Sequence, residues 1–170
     1  MNRIHDLSEL FMEYLKDIYS AEKQQLECLP RFISKLENIN LKELLERNLE
    51  RTKVHEKRIE SIFELLKDNF HLHSDLVMEE LLCRINKLLK YSDNNKILDA
   101  SFISSMQGIV YYEIATYGML RSLAATLNYH PEIISLLIQT LDDENRFELE
   151  LENLAKEAVF KKVKQFSIAV

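Results

Sequence analysis

Residues 97–127 read ILDASFISSMQGIVYYEIATYGMLRSLAATL. Alternating steps of three and four through this stretch pick out Ile103, Met106, Val110, Glu113, Tyr117, Leu120, Ala124 and Leu127. That spacing keeps one stripe on one side of an α-helix. The stripe is apolar at both ends and polar in its middle, at Glu113 and Tyr117. Three other stretches repeat the arrangement. The first gives Phe11, Leu15, Ile18, Glu22, Gln25, Leu29, Phe32 and Leu36; the second gives Leu41, Leu45, Asn48, Thr52, His55, Ile59, Ile62 and Leu66. The last gives Leu137, Leu141, Glu144, Glu148, Leu151, Ala155 and Ala158.

Punctuation between these stretches sets the predicted elements. Asp6 with Glu9 makes a capping-box-like start for a helix over about 7–36, and Pro30 should kink it without ending it, because Phe32, Ile33 and Leu36 continue the pattern. Asn40 with Glu43 repeats the signature for a helix over about 41–66. A polar stretch from Lys67 to Asp75 precedes a shorter helix over 76–89, and Ser92 to Asn95 separates it from the helix over 97–127. Pro131 fits the first turn of a helix over 131–160, and residues 161–170 form a frayed tail. Tight links make the first two and the last two long helices antiparallel hairpins, and the middle link is long, as in ferritin-like bundles. The expectation is one all-α domain over residues 1–170: a ferritin-like four-helix bundle with a short extra helix in its crossover.

Composition narrows the functions. Only two glycines and two prolines occur in 170 residues, which leaves too little turn chemistry for a sheet. A formal charge of -6 argues against a nucleic-acid partner. No apolar run approaches the roughly 20 residues of a membrane span, and the N-terminus lacks a signal-peptide core. Cys28 and Cys83 sit inside helical patterns and read as reduced thiols of a cytoplasmic protein. The sequence identifies no small-molecule substrate.

The four stripe middles should lie at one depth in the bundle. That gathers Glu22, Glu113, Glu144 and Glu148 around one layer, with Asn48, Thr52 and His55 on the fourth side. Ionised carboxylates in an apolar core cost several kcal/mol each, so they require compensation. A cation suited to hard oxygen ligands, Mg, Mn or Fe, is one solution. The other is a polar core layer in which the carboxyl groups take up protons and hydrogen-bond to Tyr19, Gln25, Asn48, Tyr111, Tyr112 or Tyr117.

Several words carry a resemblance: Leu15-Lys16-Asp17-Ile18-Tyr19-Ser20-Ala21-Glu22-Lys23-Gln24 with Leu29-Pro30, Met78-Glu79-Glu80-Leu81, Leu98-Asp99-Ala100, and above all Tyr112-Glu113-Ile114-Ala115-Thr116-Tyr117-Gly118. Together with Leu141-Asp142-Asp143-Glu144 they resemble the YciF/YciE-like family of ferritin-like, rubrerythrin-like bacterial proteins, over about residues 7–158. The resemblance implies a homodimer, an association with stress responses and a dinuclear metal centre of Fe or Mn. Glu22, Glu113 and Glu144 match acidic positions of the family pattern, and Glu148 stands where an Asp is usual. The chain departs from that pattern at Asn48 and Arg51, where a His and an acid are usual, and at Val110-Tyr111, where Glu-His is usual. The Glu-x-x-His motif of ferritin-like iron sites is absent; Thr52 stands three residues before His55.

Two functions follow. One is a stress-associated structural or interaction protein with a partly degenerate metal site, no catalytic residues and no certain cofactor. The other is an Fe- or Mn-binding protein, mononuclear or dinuclear, with redox activity toward peroxide or oxygen. Its ligands would be Glu22, His55, Glu113, Glu144 and Glu148, with Asn48, Tyr111, Tyr112 and Tyr117 around them.

Overall fold

The computed structural model describes residues 3–67, 74–92 and 94–156. Five helices follow in order: α1 (Leu7–Ile33), α2 (Ile39–Leu66), α3 (Leu76–Tyr91), α4 (Asn95–Thr126) and α5 (Pro131–Leu154). Short polar side chains start four of them. Asp6 accepts from Glu9 N at 2.8 Å, Asn38 from Leu41 N at 3.1 Å, Asp75 from Met78 N at 2.6 Å and Asn94 from Lys96 N at 2.8 Å, each satisfying an orphan donor of a first turn. Pro131 opens α5 behind His130.

Several boundaries differ from the sequence expectation. Pro30 lies within the last turn of α1, which closes at Ile33, and Lys35 and Leu36 then bond back to Phe32 and Ile33 in three-residue turns. The proline ring removes one backbone donor and weakens the turn that precedes it. The cap of α2 is Asn38, because its side chain reaches Leu41 N, so the helix begins before Asn40. The polar stretch after Lys67 and the predicted end of the last helix, including Ala158 and the tail from 161, fall largely outside the described residues.

Cross-helix pairs fix the topology. Tyr19 with Glu60 and Lys23 with Glu56 make α1 and α2 antiparallel. Gln25 with Glu113 and Glu22 with Tyr117 do the same for α1 and α4. Arg51 with Glu150 and Arg58 with Asp143 set α5 antiparallel to α2. The ring order is therefore α1, α2, α5, α4, and α2 and α4 are diagonal and parallel. A chain leaving the end of α2 must travel back along the bundle to enter α4 in the same direction. Crossover helix α3 does so beside α1, with Gln24 on the Asp75 carbonyl and Arg31 on Asn86.

The ends of the bundle are apolar. Phe11, Leu15, Ile18, Ile59, Ile62, Leu120, Ala124 and Ile133 fill one end; Leu29, Phe32, Leu41, Leu45, Ile103, Met106 and Leu151 fill the other, all buried. Burial of each large side chain contributes about 1.5–3 kcal/mol. On α5 the buried positions are Ile133, Leu137, Thr140, Glu144, Phe147 and Leu151, not Leu141 and Glu148. Two helical turns separate Glu144 from Leu151, so either residue 147 or residue 148 is able to face inward between them. Phe147 takes that place, since burying its ring is favourable and burying a second charge on the same helix is not.

Candidate functional site: a buried carboxylate layer

Midway along the bundle, every long helix presents polar side chains to the interior. Glu22 and Gln25 come from α1, Asn48, Thr52 and His55 from α2, Glu113 and Tyr117 from α4, and Glu144 from α5; all are buried. These are the residues that interrupt the apolar stripes, so the layer follows directly from the periodicity. Tyr117 donates to Glu22 Oε1 at 2.5 Å, and Gln25 donates through Nε2 to Glu113 Oε1 at 2.5 Å. His55 Nδ1 lies 3.4 Å from Glu22 Oε1 and 3.3 Å from Glu144 Oε1. Its Nε2 lies 3.5 Å from Asp143 Oδ2. Neither ring nitrogen makes an aligned hydrogen bond, so these contacts act mainly through charge. The Tyr117 ring packs edge-on against the imidazole, with centroids 6.4 Å apart. Thr52 returns its hydroxyl to the Asn48 carbonyl at 3.2 Å.

The electrostatics favour protons on the layer. Burial, with Glu144 and Glu22 nearby, holds the Glu113 carboxyl well above the usual range, and the Gln25 amide only partly opposes this. Burial pushes Glu144 up to about 8, with Glu22 and Asp143 adding to the rise and His55 and Arg51 opposing it. Burial alone would lower His55, yet the carboxylates of Glu22 and Glu144 outweigh it and the imidazole holds its proton more tightly than usual. Burial and the bond to Glu22 keep the Tyr117 hydroxyl protonated.

Other residues singled out from the sequence stand elsewhere. Glu148 is half-buried and accepts from Tyr111 Oη at 2.9 Å, and Tyr111 is 55% exposed, so this pair lies on the α4–α5 surface. Tyr112 donates to Asp75 at the start of α3, where the Asp75 N–H donates to Ser20 Oγ at 3.0 Å. That set pins the crossover helix to α1 and α4. Sequence reading missed Asp143, which reaches His55 from a position adjacent to the stripe; the acidic pair Asp142-Asp143 was its only signal.

Two observations bear on metal. Four acceptor oxygens in the layer, Glu22 Oε2, Gln25 Oε1, Asn48 Oδ1 and Glu144 Oε2, have no hydrogen-bond partner. Their chemistry fits one hard cation. Against this, no group of three or more His, Cys, Asp or Glu among the described residues is set to hold a metal ion. Donors already stand on Glu22 and Glu113. α2 brings no carboxylate inward, and its Arg51 bears on Glu144. A dinuclear centre, which needs bridging carboxylates and about six ligands, does not fit this donor set.

Comparisons with known proteins agree with the architecture. A family model described as a domain of unknown function, DUF892, matches residues 6–164. Protein YciF of Escherichia coli K12 is 32% identical over 158 residues, covering 92% of this chain and 94% of that protein. The crystal structure of the E. coli stress protein YciF superposes with a TM-score of 0.85 over 89% of this chain and 96% of the other, at 30% identity. YcfI from Rhodopseudomonas palustris, described provisionally as a structural protein, gives the same score and coverage at 27% identity. A Xanthomonas campestris protein at 17% identity and a TM-score of 0.71 shares the fold, covering 95% of this chain and 98% of its own.

Proposed function

Because the chain belongs to the DUF892 family of YciF-like proteins, we propose that it is a stress-associated structural or interaction protein without an enzymatic role. In this reading the central layer is closed by protons and by the chain's own donors. The observation that carries it is the pairing of buried carboxylates with built-in donors: Tyr117 on Glu22, Gln25 on Glu113, and the imidazole of His55 between Glu22 and Glu144. A proton costs no coordination geometry, and α2 supplies an amide, a hydroxyl and an imidazole where a metal centre would need an acid. The free thiols Cys28 and Cys83 suit a cytoplasmic location.

The second reading, one Fe or Mn held by Glu22, His55, Glu113 and Glu144, is favoured by the four unpartnered acceptor oxygens. Glu148 has no part in it, being engaged by Tyr111. Elemental analysis of chelator-free protein offered Fe(II) or Mn(II) separates the two readings. The first expects far less than one metal per chain and an unchanged melting temperature. One metal per chain with a rise of roughly 5–10 °C, the shift for a ligand at about 100 times its Kd, would overturn it in favour of the second.

The interaction surface we assign is the outer face of α4, with a second copy as its occupant. Ser104, Gly108, Tyr111, Ala115, Ser122 and Ala125 are exposed there and uncharged. Both glycines of the chain lie on this helix. A Cβ on Gly118 would meet nothing within 4 Å, and one on Gly108 only Leu81 Cδ2 at 3.6 Å, so no internal packing requires either. A mid-helix glycine costs about 1 kcal/mol against alanine, and close approach by another helix is the compensation that fits. Light scattering should give a dimer for the wild type and a monomer for Ala115→Glu. A wild-type monomer would remove the assignment.

A further inference from the structure

The buried layer approaches solvent along the α2–α5 seam, through side chains outside the layer itself. Asp143 precedes Glu144 on α5, and its side chain and that of Arg58 are each 19% exposed. Inward, Asp143 Oδ2 lies 3.5 Å from Nε2 of His55, whose side chain has no exposure. Outward, the same oxygen accepts from Arg58 Nη1 at 2.7 Å, and that nitrogen also donates to Thr140 Oγ1 at 3.2 Å. Arg146 approaches the other Asp143 oxygen at 3.5 Å. The opposite ring nitrogen faces Glu22 and Glu144. A polar file thus runs from the carboxylates through the imidazole to Asp143 and on to water.

We propose that the α2–α5 seam at Asp143 is the port through which the buried layer exchanges protons with water, and that Arg58 is its latch. This rests on the reading of the layer as closed and water-excluding. With Arg58 in place, one guanidinium nitrogen holds α5 at two points and occupies the outer side of the Asp143 oxygen that faces His55. The imidazole is fixed in the core and cannot itself reach solvent. Arg58 is a long side chain at the surface, and its rotation opens the file without moving a helix. The species admitted is water or hydronium, since the opening is the width of one side chain.

The exchange rate of the His55 ring N–H protons with water, measured by NMR on nitrogen-15-labelled protein, tests the port. Wild type should show slow exchange. Arg58→Gln should accelerate it about tenfold, the factor for losing one charge-assisted hydrogen bond from the closed state. Arg47→Gln, whose exposed guanidinium pairs with Glu150 on the same seam, should leave the rate unchanged. Slow exchange in wild type with no acceleration in Arg58→Gln would overturn the latch while the closed layer stands. Fast exchange already in wild type would overturn the closed layer, and the port with it. If amide dispersion shows that Arg58→Gln does not fold, Asp143→Asn, which keeps the side-chain shape, should give a smaller acceleration, and its absence would likewise refute the latch.

Discussion

Glu144→Gln should make the protein more stable, by much more at neutral pH than at pH 5. In the folded chain burial pushes Glu144 up to about 8, from an ordinary value of 4.5. Between those values the folded chain holds a proton that the unfolded chain releases, so stability falls as pH rises through the window. Linkage across these two values gives about 1 kcal/mol of lost stability at pH 5 and about 3 kcal/mol at pH 7. A glutamine copies the shape of the protonated acid and cannot ionise, so the variant escapes this loss. For a domain of this size the difference at pH 7 corresponds to roughly 5–10 °C in Tm. His55, whose proton is also held more tightly in the folded chain, contributes stability lost as pH rises above its ordinary 6.5, in the same direction, and the variant, lacking the Glu144 carboxylate, keeps only the part of that slope that Glu22 sustains. Asp143 works oppositely. Burial raises it but Arg58 lowers it further, so its contribution is present above the ordinary 3.8 and is lost as pH falls. Wild type should therefore be most stable near pH 5. Urea unfolding of wild type and variant at pH 5, 6, 7 and 8 is the assay. Parallel curves, with no relative gain for the variant toward pH 8, would refute the argument that Glu144 is held by a proton.

Three further outcomes follow from the same geometry. Gln25→Leu removes the donor on buried Glu113 and should cost about 1–3 kcal/mol in urea unfolding at neutral pH. Asp99→Ala should cost less, about 1 kcal/mol, because the backbone N–H groups of Glu37 and Asn38 at the α1–α2 turn favour its buried carboxylate, one oxygen of which has no hydrogen-bond partner to lose. Phe147→Ala should cost about 3–5 kcal/mol, whereas Glu148→Ala should leave stability near that of wild type; equal losses would contradict the inward placement of Phe147.

The layer bears on function through a question of charge balance. A site that binds a cation must hold carboxylates ionised against their mutual repulsion until the ion arrives. Here Gln25, Tyr117 and His55 perform part of that neutralisation from within the chain, and Arg51 adds a positive charge beside Glu144. Each reduces what a metal ion would gain by entering. This physical consequence of Asn48 and Arg51 on α2 distinguishes the chain from one in which α2 too brings a carboxylate inward.

The sequence by itself determined the helices and the depth of the layer. A stripe of residues spaced by threes and fours has one buried side, so the residues interrupting Phe11 to Leu36, or Ile103 to Leu127, had to be polar residues facing the core. Glu22, His55, Glu113 and Glu144 were legible for that reason. Tertiary structure alone decided the choice between Phe147 and Glu148, because both positions point near the interior and only the way α5 seats against its neighbours buries the ring. It also decided the partners. Tyr111 turned to the surface, Tyr112 to the crossover helix and Tyr117 to Glu22, although all three lie within two turns of one helix. Asp143 entered the site from a neighbouring position because the antiparallel register of α2 and α5 sets Arg58 and His55 against it. Periodicity fixes the direction of a side chain from its own helix axis; what it meets depends on the crossing and register of another helix, which involves residues far away in the chain.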